Sequence, residues 1–376
     1  MKNKSALLTD LVFPNKYSKW RNVEILNFIE EFDTDILVFK IDDFCGIFYE
    51  FDWDFINQTK TLEDYNILIF DKKFNNIDKY NKKIDGKIFN NKFNASYLIT
   101  KKDYFDINNY DFIYHIFLMN YISFNKNFNF DYKKQFIHLY PGGGFFENNL
   151  EIHNDTNVIS TNPLTTIKLN QKLHKNYIDV WTGTLMKKND CFFEKNLKTT
   201  NELNICFSSM GNLKEKGFDL YENLIEEYKK KFAYDNINFY SVGSSITTPS
   251  NNLIKNLNVM NYLELDNFYK ENIDVYITLS RNTAFNGWPI GLESLIQGCV
   301  LITTDPNDIS KYYNLNKENG IFIVKNEIEC IQILKNLYEN KNLLNTNSKL
   351  SQENFAKYLT YENHQKKIFD FIKEKT

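Results

Sequence analysis

Residues 285–305, FNGWPIGLESLIQGCVLITTD, set an aromatic-proline corner, Gly287-Trp288-Pro289, just ahead of a carboxylate, Glu293. Pro289 suits the first turn of a helix, where its missing N–H is not needed. Gly298 can close that helix in a left-handed conformation, and 299–303 then reads as a short buried strand. The loop aims the free N–H groups of Ile290, Gly291 and Leu292 at whatever lies above the strand ends. Glu293 at the same mouth can accept hydrogen bonds from both hydroxyls of a vicinal diol. The plainer alternative is an ordinary first-turn glutamate favoured by the helix dipole.

Lys216 stands before Gly217 in the loop MGNLKEKG, between a strand and a long helix. A lysine there is either a solvated surface charge or the point charge a pyrophosphate needs. Gly142, Gly143 and Gly144 fall together in YPGGGF, in a chain with only 13 glycines. They allow close backbone approach to a ligand, or simply a flexible turn. His115 and His138 lie on apolar strands, as core histidines or as cleft residues. Asp33/Asp35, Asp42–Asp43 and Asp52/Asp54 invite a metal-binding reading but lack supporting context. No Ser-His-Asp order, nucleophile elbow or Walker loop is visible.

These residues need elements to hold them. A strand at 6–13, a helix at 21–32 and a strand at 35–41 give the rhythm of a parallel sheet. Further strands are expected at 65–70, 95–100, 111–118, 135–141, 157–161 and 177–185. A polar linker at 187–203 would then separate a domain at 1–186 from a second one at 204–355. The second series predicts strands at 204–209, 237–243, 258–263, 274–279 and 320–324, with helices at 218–232, 264–272 and 327–340. A last amphipathic helix is expected within 356–376. Two doubly wound α/β domains facing across a cleft is the economical architecture, with ligands outside the carboxyl ends of the strands.

Composition narrows the chemistry. A net charge of −3 over 376 residues argues against a dedicated nucleic-acid binder. Five cysteines (Cys45, Cys191, Cys206, Cys299, Cys330) are scattered without metal-ligand spacing, as buried thiols of a reducing compartment would be. The most apolar stretch, 112–124, contains His115 and Asn120 and falls short of a membrane span. The N-terminal ALLTDLVF is too short and too interrupted for a signal peptide. The expected location is the cytoplasm, with room for peripheral contact with a membrane the chain does not cross.

Residues 203–376 resemble the C-terminal domain of family 4 (group 1) glycosyltransferases, which have the GT-B fold. The resemblance is carried by MGNLKEKG, YLELDNFYKENIDVYITLS, NGWPIGLESLIQGCVLITTD, NGIFIV and FAKYLTYENHQKKIFDFIK, in that order. It implies that the loop with Met210, Gly211 and Lys216 meets the donor diphosphate and that Glu293 binds the nucleotide ribose. The corner residues Gly287, Trp288, Pro289 and Ile290 would then line the diphosphate and sugar. The family's first acidic residue has Asn286, an amide, as its closest counterpart. An arginine common before the lysine is missing at Gly211-Asn212, and Arg281 is the residue that could supply its charge. In the first half, His115 lies where family members often carry a functional histidine, and Gly142–Gly144 could face the cleft.

The resemblance implies a retaining sugar transferase with no cofactor and no metal. Its donor would be a nucleoside-diphosphate sugar, with UDP the expected carrier, and its acceptor a glycan or lipid-linked molecule of a surface polymer. The C-terminal helix should pack back toward the N-terminal domain. A nucleotide-sugar epimerase on the same plan, or a catalytically silent binding subunit, stay open as alternatives.

Overall fold

The computed structural model describes residues 2–9, 13, 15–38, 66–70, 76–81, 96–100, 106–126, 128–139, 152–161, 163–172, 174–180, 202–209, 213–214, 216–232, 236–243, 249, 251–281, 288–305, 310, 318, 320–358 and 360–376. By its internal contacts the chain divides into two compact units. One is Met1–Val180 together with Gln365–Thr376, the other Trp181–His364. Most of the expected linker, up to residue 201, lies outside the described residues.

The first unit holds β1 (Lys4–Thr9), α1 (Lys19–Glu31), β2 (Asp33–Val38), β3 (Asn66–Phe70), β4 (Asn76–Asn81), β5 (Ser96–Thr100) and β6 (Phe112–Ile116). It continues with α2 (Leu118–Asn125), β7 (Gln135–Leu139), β8 (Asn157–Ser160), α3 (Pro163–Gln171) and β9 (Tyr177–Asp179). The sheet order is β4-β3-β5-β2-β1-β6-β7-β8-β9. From β2 to β9 neighbouring strands run parallel. Central strands β6 and β7 are buried at every position, as strands covered on both faces must be.

One edge departs from the doubly wound expectation. β3 pairs antiparallel with both β4 and β5, and β5 pairs antiparallel with β2. β3 and β4 are joined by residues 71–75 alone, and so short a connection cannot make the crossover a parallel pair requires.

The last helix, α9 (Gln365–Lys375), belongs to this first unit. Its Phe369 meets Phe28 of α1 and Phe32 at the C-cap of that helix edge-on, with ring centroids 5.0 and 5.3 Å apart. Gln365 donates to the Glu24 carbonyl at 2.9 Å and accepts from Asn27 at 2.6 Å. Burial of one such phenylalanine is worth about 1.5–3 kcal/mol. The chain therefore returns to its N-terminal unit as expected, though the helix starts nine residues after 356.

The second unit holds β10 (Leu203–Ser208), α4 (Phe218–Lys231), β11 (Ile237–Val242), β12 (Ile254–Asn256), α5 (Tyr262–Asn272) and β13 (Val275–Thr278). It ends with α6 (Trp288–Ile296), β14 (Val300–Thr304), β15 (Ile321–Val324), α7 (Glu327–Glu339) and α8 (Lys341–Tyr358). The six strands are all parallel, in the order β12-β11-β10-β13-β14-β15. Alternate residues of β10 feed two cores. Ile205 and Phe207 pack with Tyr221, Leu224 and Tyr228 of α4, whereas Cys206 packs with Tyr269, Leu295 and Ile296 on the other face. Cys206, Cys299 and Cys330 are buried free thiols.

The strand expected at 258–263 is absent. Asn261 caps α5 instead: its side chain accepts from the Glu264 N–H, and Glu264 reaches back to the Asn261 N–H. This reciprocal box starts a helix where apolar content alone reads as a strand. α8 is a further element beyond the expected series.

Candidate functional site

In an open parallel sheet, ligands bind beyond the carboxyl ends of the strands where the order reverses. In the second unit that point lies between β10 and β13, which pair side by side although α4, β11, β12 and α5 separate them in sequence. Beyond their ends stand two loops, one leading into α4 and the other into α6.

The two loops meet at Gly217 and Leu279. Gly217 is the N-cap of α4, with φ 78°, a left-handed conformation that favours glycine. A β-carbon there would stand 2.1 Å from the Leu279 carbonyl oxygen. Lys216 immediately precedes this contact and is partly buried. No hydrogen bond or ion pair to it is formed among the described residues, and burial pushes its ammonium down to about 8. A half-buried cation beside a helix N-terminus whose cap offers no side-chain acceptor is an arrangement suited to an anion.

Arg281 makes the second tie between these loops. It donates through Nη1 and Nη2 to the two Asp219 carboxylate oxygens, 2.7 Å each, and through Nη1 to the Lys214 carbonyl. The guanidinium holds the Asp219 carboxyl below the usual carboxylate range. Arg281, expected to supply charge to the donor, thus has its fork on Asp219. Asp219 went unnoticed in the sequence; its place two residues into a helix after a lysine-glycine pair was the available signal. Thr304 donates to the Ser280 carbonyl at 2.5 Å and ties in the end of β14.

α6 carries the carboxylate. Its first residue is Trp288, so Glu293 sits in the second turn rather than the first, and the helix has no acidic residue in its first turn. The dipole argument for Glu293 weakens accordingly, because that effect is confined to the first turn. Glu293 is partly buried. Its charge helps to raise the phenols of Tyr269 and Tyr276, whose main cause is burial. Both phenols bond the Ser208 hydroxyl, at 2.7 and 3.1 Å, at the last residue of β10. The Ser208 hydroxyl thus anchors both phenols at the carboxyl end of β10. Gly298, φ 73°, ends the helix in the left-handed conformation expected of it. Trp288, Pro289 and Ile290 are helical in backbone. Met210, Gly211, Asn286, Gly287 and Gly142–Gly144 lie outside the described residues, as do Asp42, Asp43, Asp52 and Asp54.

His115, expected to be catalytic, has surroundings of a core residue. It is 0% exposed, with its ring edge-on to Tyr121 and Phe124 and its Nε2 3.0 Å from the Gln135 side-chain oxygen. Burial pushes the imidazole down to about 3, so it is neutral at ordinary pH. His138 is equally buried, 2.7 Å from the Tyr114 hydroxyl and 3.2 Å from the Glu24 carboxylate. Among the described residues no group of three or more His, Cys, Asp or Glu could hold a metal ion. No described helix is long and apolar enough to cross a membrane.

No family model and no curated protein matches the sequence. Solved structures do match the fold. A mutant of S. aureus TarM, in complex with fondaparinux, alpha-GlcNAc-glycerol and UDP, superposes with a TM-score of 0.54 at 16% identity, over 69% of this chain and 55% of that one. Anabaena HepE in complex with UDP and glucose gives 0.53 at 13% identity, over 71% and 78% of the two chains. A glycosyltransferase from Rickettsia africae gives 0.52 at 16% identity, over 71% and 77%. The fold is of the GT-B kind. This chain spans little more than half the length of TarM.

Proposed function

We propose that the chain transfers a sugar from a nucleoside-diphosphate sugar, with UDP as carrier, to a glycan or lipid-linked acceptor of a surface polymer. The observation that carries this reading is the partly buried Lys216, beside the N-terminus of α4 at the strand-order reversal. It is a cation without a described carboxylate partner. UDP bound in the TarM and HepE structures supports the same ligand here. Lys216 and the N–H groups that open α4 and α6 meet the diphosphate and stabilise it as it leaves, work that in this reading needs no metal. Glu293 accepts from the ribose diol, and the family resemblance is what assigns Asn286 to the sugar ring. The anomeric configuration is retained. The first unit takes the acceptor, in the cytoplasm or at its membrane surface.

Donor turnover tests this, with a panel of UDP-sugars, with and without acceptor, in chelator and in manganese. The expected result is transfer only with acceptor, insensitive to chelator, with product of unchanged anomeric configuration by NMR. Release of a free epimer without acceptor, or a strict manganese requirement, would overturn it.

A further inference from the structure

The two loops that close over the ends of β10 and β13 are joined at two places, and Lys216 lies between them in sequence. On its far side Gly217 abuts the Leu279 carbonyl oxygen, too close for any β-carbon. On its near side the Lys214 carbonyl accepts from Arg281, and Arg281 in turn grips Asp219 with both arms of its fork. Residues 214, 217 and 219 are thereby pinned to 279 and 281. Lys216 is thus flanked on both sides by residues tied to the loop after β13.

We propose that Arg281, acting through Asp219, is a positioning residue that holds Lys216 at a nucleoside diphosphate. The inference rests on the reading of Lys216 as the diphosphate contact. It gives Arg281 a different task from direct contact with the donor: its guanidinium organises the loop whose ammonium makes that contact. The bidentate geometry is what selects arginine, since a lysine at 281 offers a single point charge and no fork. Arg281 and Asp219 are 34% and 50% exposed, so the pair depends on its bidentate geometry, the case in which an exposed ion pair holds its partners in place. Burial, not a neighbouring charge, is what lowers the Lys216 ammonium.

The test compares binding of UDP and uridine by calorimetry in wild type, Lys216→Ala, Arg281→Ala, Arg281→Lys, Asp219→Asn and the exchange Arg281→Asp with Asp219→Arg. Arg281→Ala and Asp219→Asn should each weaken UDP about tenfold, the loss of one charge-assisted contact. Uridine affinity and the thermal midpoint should stay nearly unchanged. Arg281→Lys should fall between wild type and alanine, and the exchange should restore much of the loss. The pH at which UDP affinity drops should rise in Arg281→Ala, because a released loop rehydrates the ammonium.

Three results would overturn the proposal. If Asp219→Asn binds UDP as well as wild type while Arg281→Ala does not, Arg281 is itself the ligand. If Lys216→Ala weakens UDP and Arg281→Ala leaves it intact, the clamp is idle although the diphosphate reading stands. If Lys216→Ala leaves UDP binding untouched, that reading fails and the clamp with it.

Discussion

Gly217 approaches Leu279 so closely that a β-carbon on the glycine would stand 2.6 Å from the Leu279 carbonyl carbon and 2.1 Å from its oxygen. Backbone meets backbone there, so neither side can turn away as a side chain would. Gly217→Ala should therefore push the two loops apart and force a left-handed alanine, at about 1–2 kcal/mol for the conformation alone. The thermal midpoint should fall by about 2–8 °C, with a larger loss of UDP affinity than of uridine affinity. An unchanged midpoint measured by calorimetry would show that the loops have slack.

Lys216 should show two opposite responses to pH. Its ammonium titrates near 8 in the folded chain, against 10.5 when solvated. Diphosphate binding needs the charged form, so UDP affinity should decline as pH rises through about 8. In ligand-free protein the sign reverses. The unfolded chain holds its proton to higher pH, so this group's contribution to stability rises between 8 and 10.5. Lys216→Met should abolish both responses together, in UDP titrations and in denaturant midpoints measured against pH. If only one of them disappears, the two do not come from this side chain.

Glu293→Gln keeps the size of the side chain and replaces one acceptor oxygen by a donor. One ribose hydroxyl then loses a charge-assisted bond worth about 1.5–3 kcal/mol, so UDP should bind about tenfold more weakly or worse. A 2′,3′-dideoxy analogue should bind both proteins alike. Stability should barely change, because a second-turn glutamate gains little from the helix dipole. Equal losses for both ligands would mean that Glu293 serves the helix and not the ribose.

His115 should matter to acid stability and not to turnover. The folded chain keeps the imidazole neutral down to about 3, while the unfolded chain protonates it near 6.5. Below 6.5 the unfolded state binds the extra proton, so stability falls as pH is lowered toward 3. His115→Phe, set among Tyr121 and Phe124, should flatten that slope in denaturant midpoints between pH 6 and 4. Sugar transfer at neutral pH should persist. A variant that folds normally and has lost all transfer would return His115 to the chemistry.

Much of the fold is legible in the sequence. The parallel series announces itself through buried apolar runs such as ICF in β10 and VLI in β14, and Gly298 through its place after α6. What escaped has physical reasons. α8 is a helix whose buried face includes Asn347, Ser348 and Ser351 beside Leu344. Ser348 donates to the Gly298 carbonyl at 2.6 Å and Gln352 to the Ile296 carbonyl at 3.0 Å. It satisfies the open end of α6 with polar groups, so hydrophobic periodicity carries little sign of it. The Arg281–Asp219 pair joins positions 62 apart in sequence, and no local pattern encodes such a contact. His115 is ambiguous in the sequence because a histidine on an apolar strand looks the same whether the core or a ligand receives it.

The place of α9 bears on how the chain can be made. Phe369 covers Phe28 and Phe32, yet 184 residues of the other unit, 181–364, are synthesised between them. On the ribosome the first unit must wait with that aromatic surface open until the second has emerged, which is the interval when a chaperone would find it. A fragment of residues 1–180 should bind a dye for exposed apolar surface, and a peptide of residues 361–376 should displace it. Assembly of the two units is thus sequential in an unusual order: the unit begun first is the one finished last.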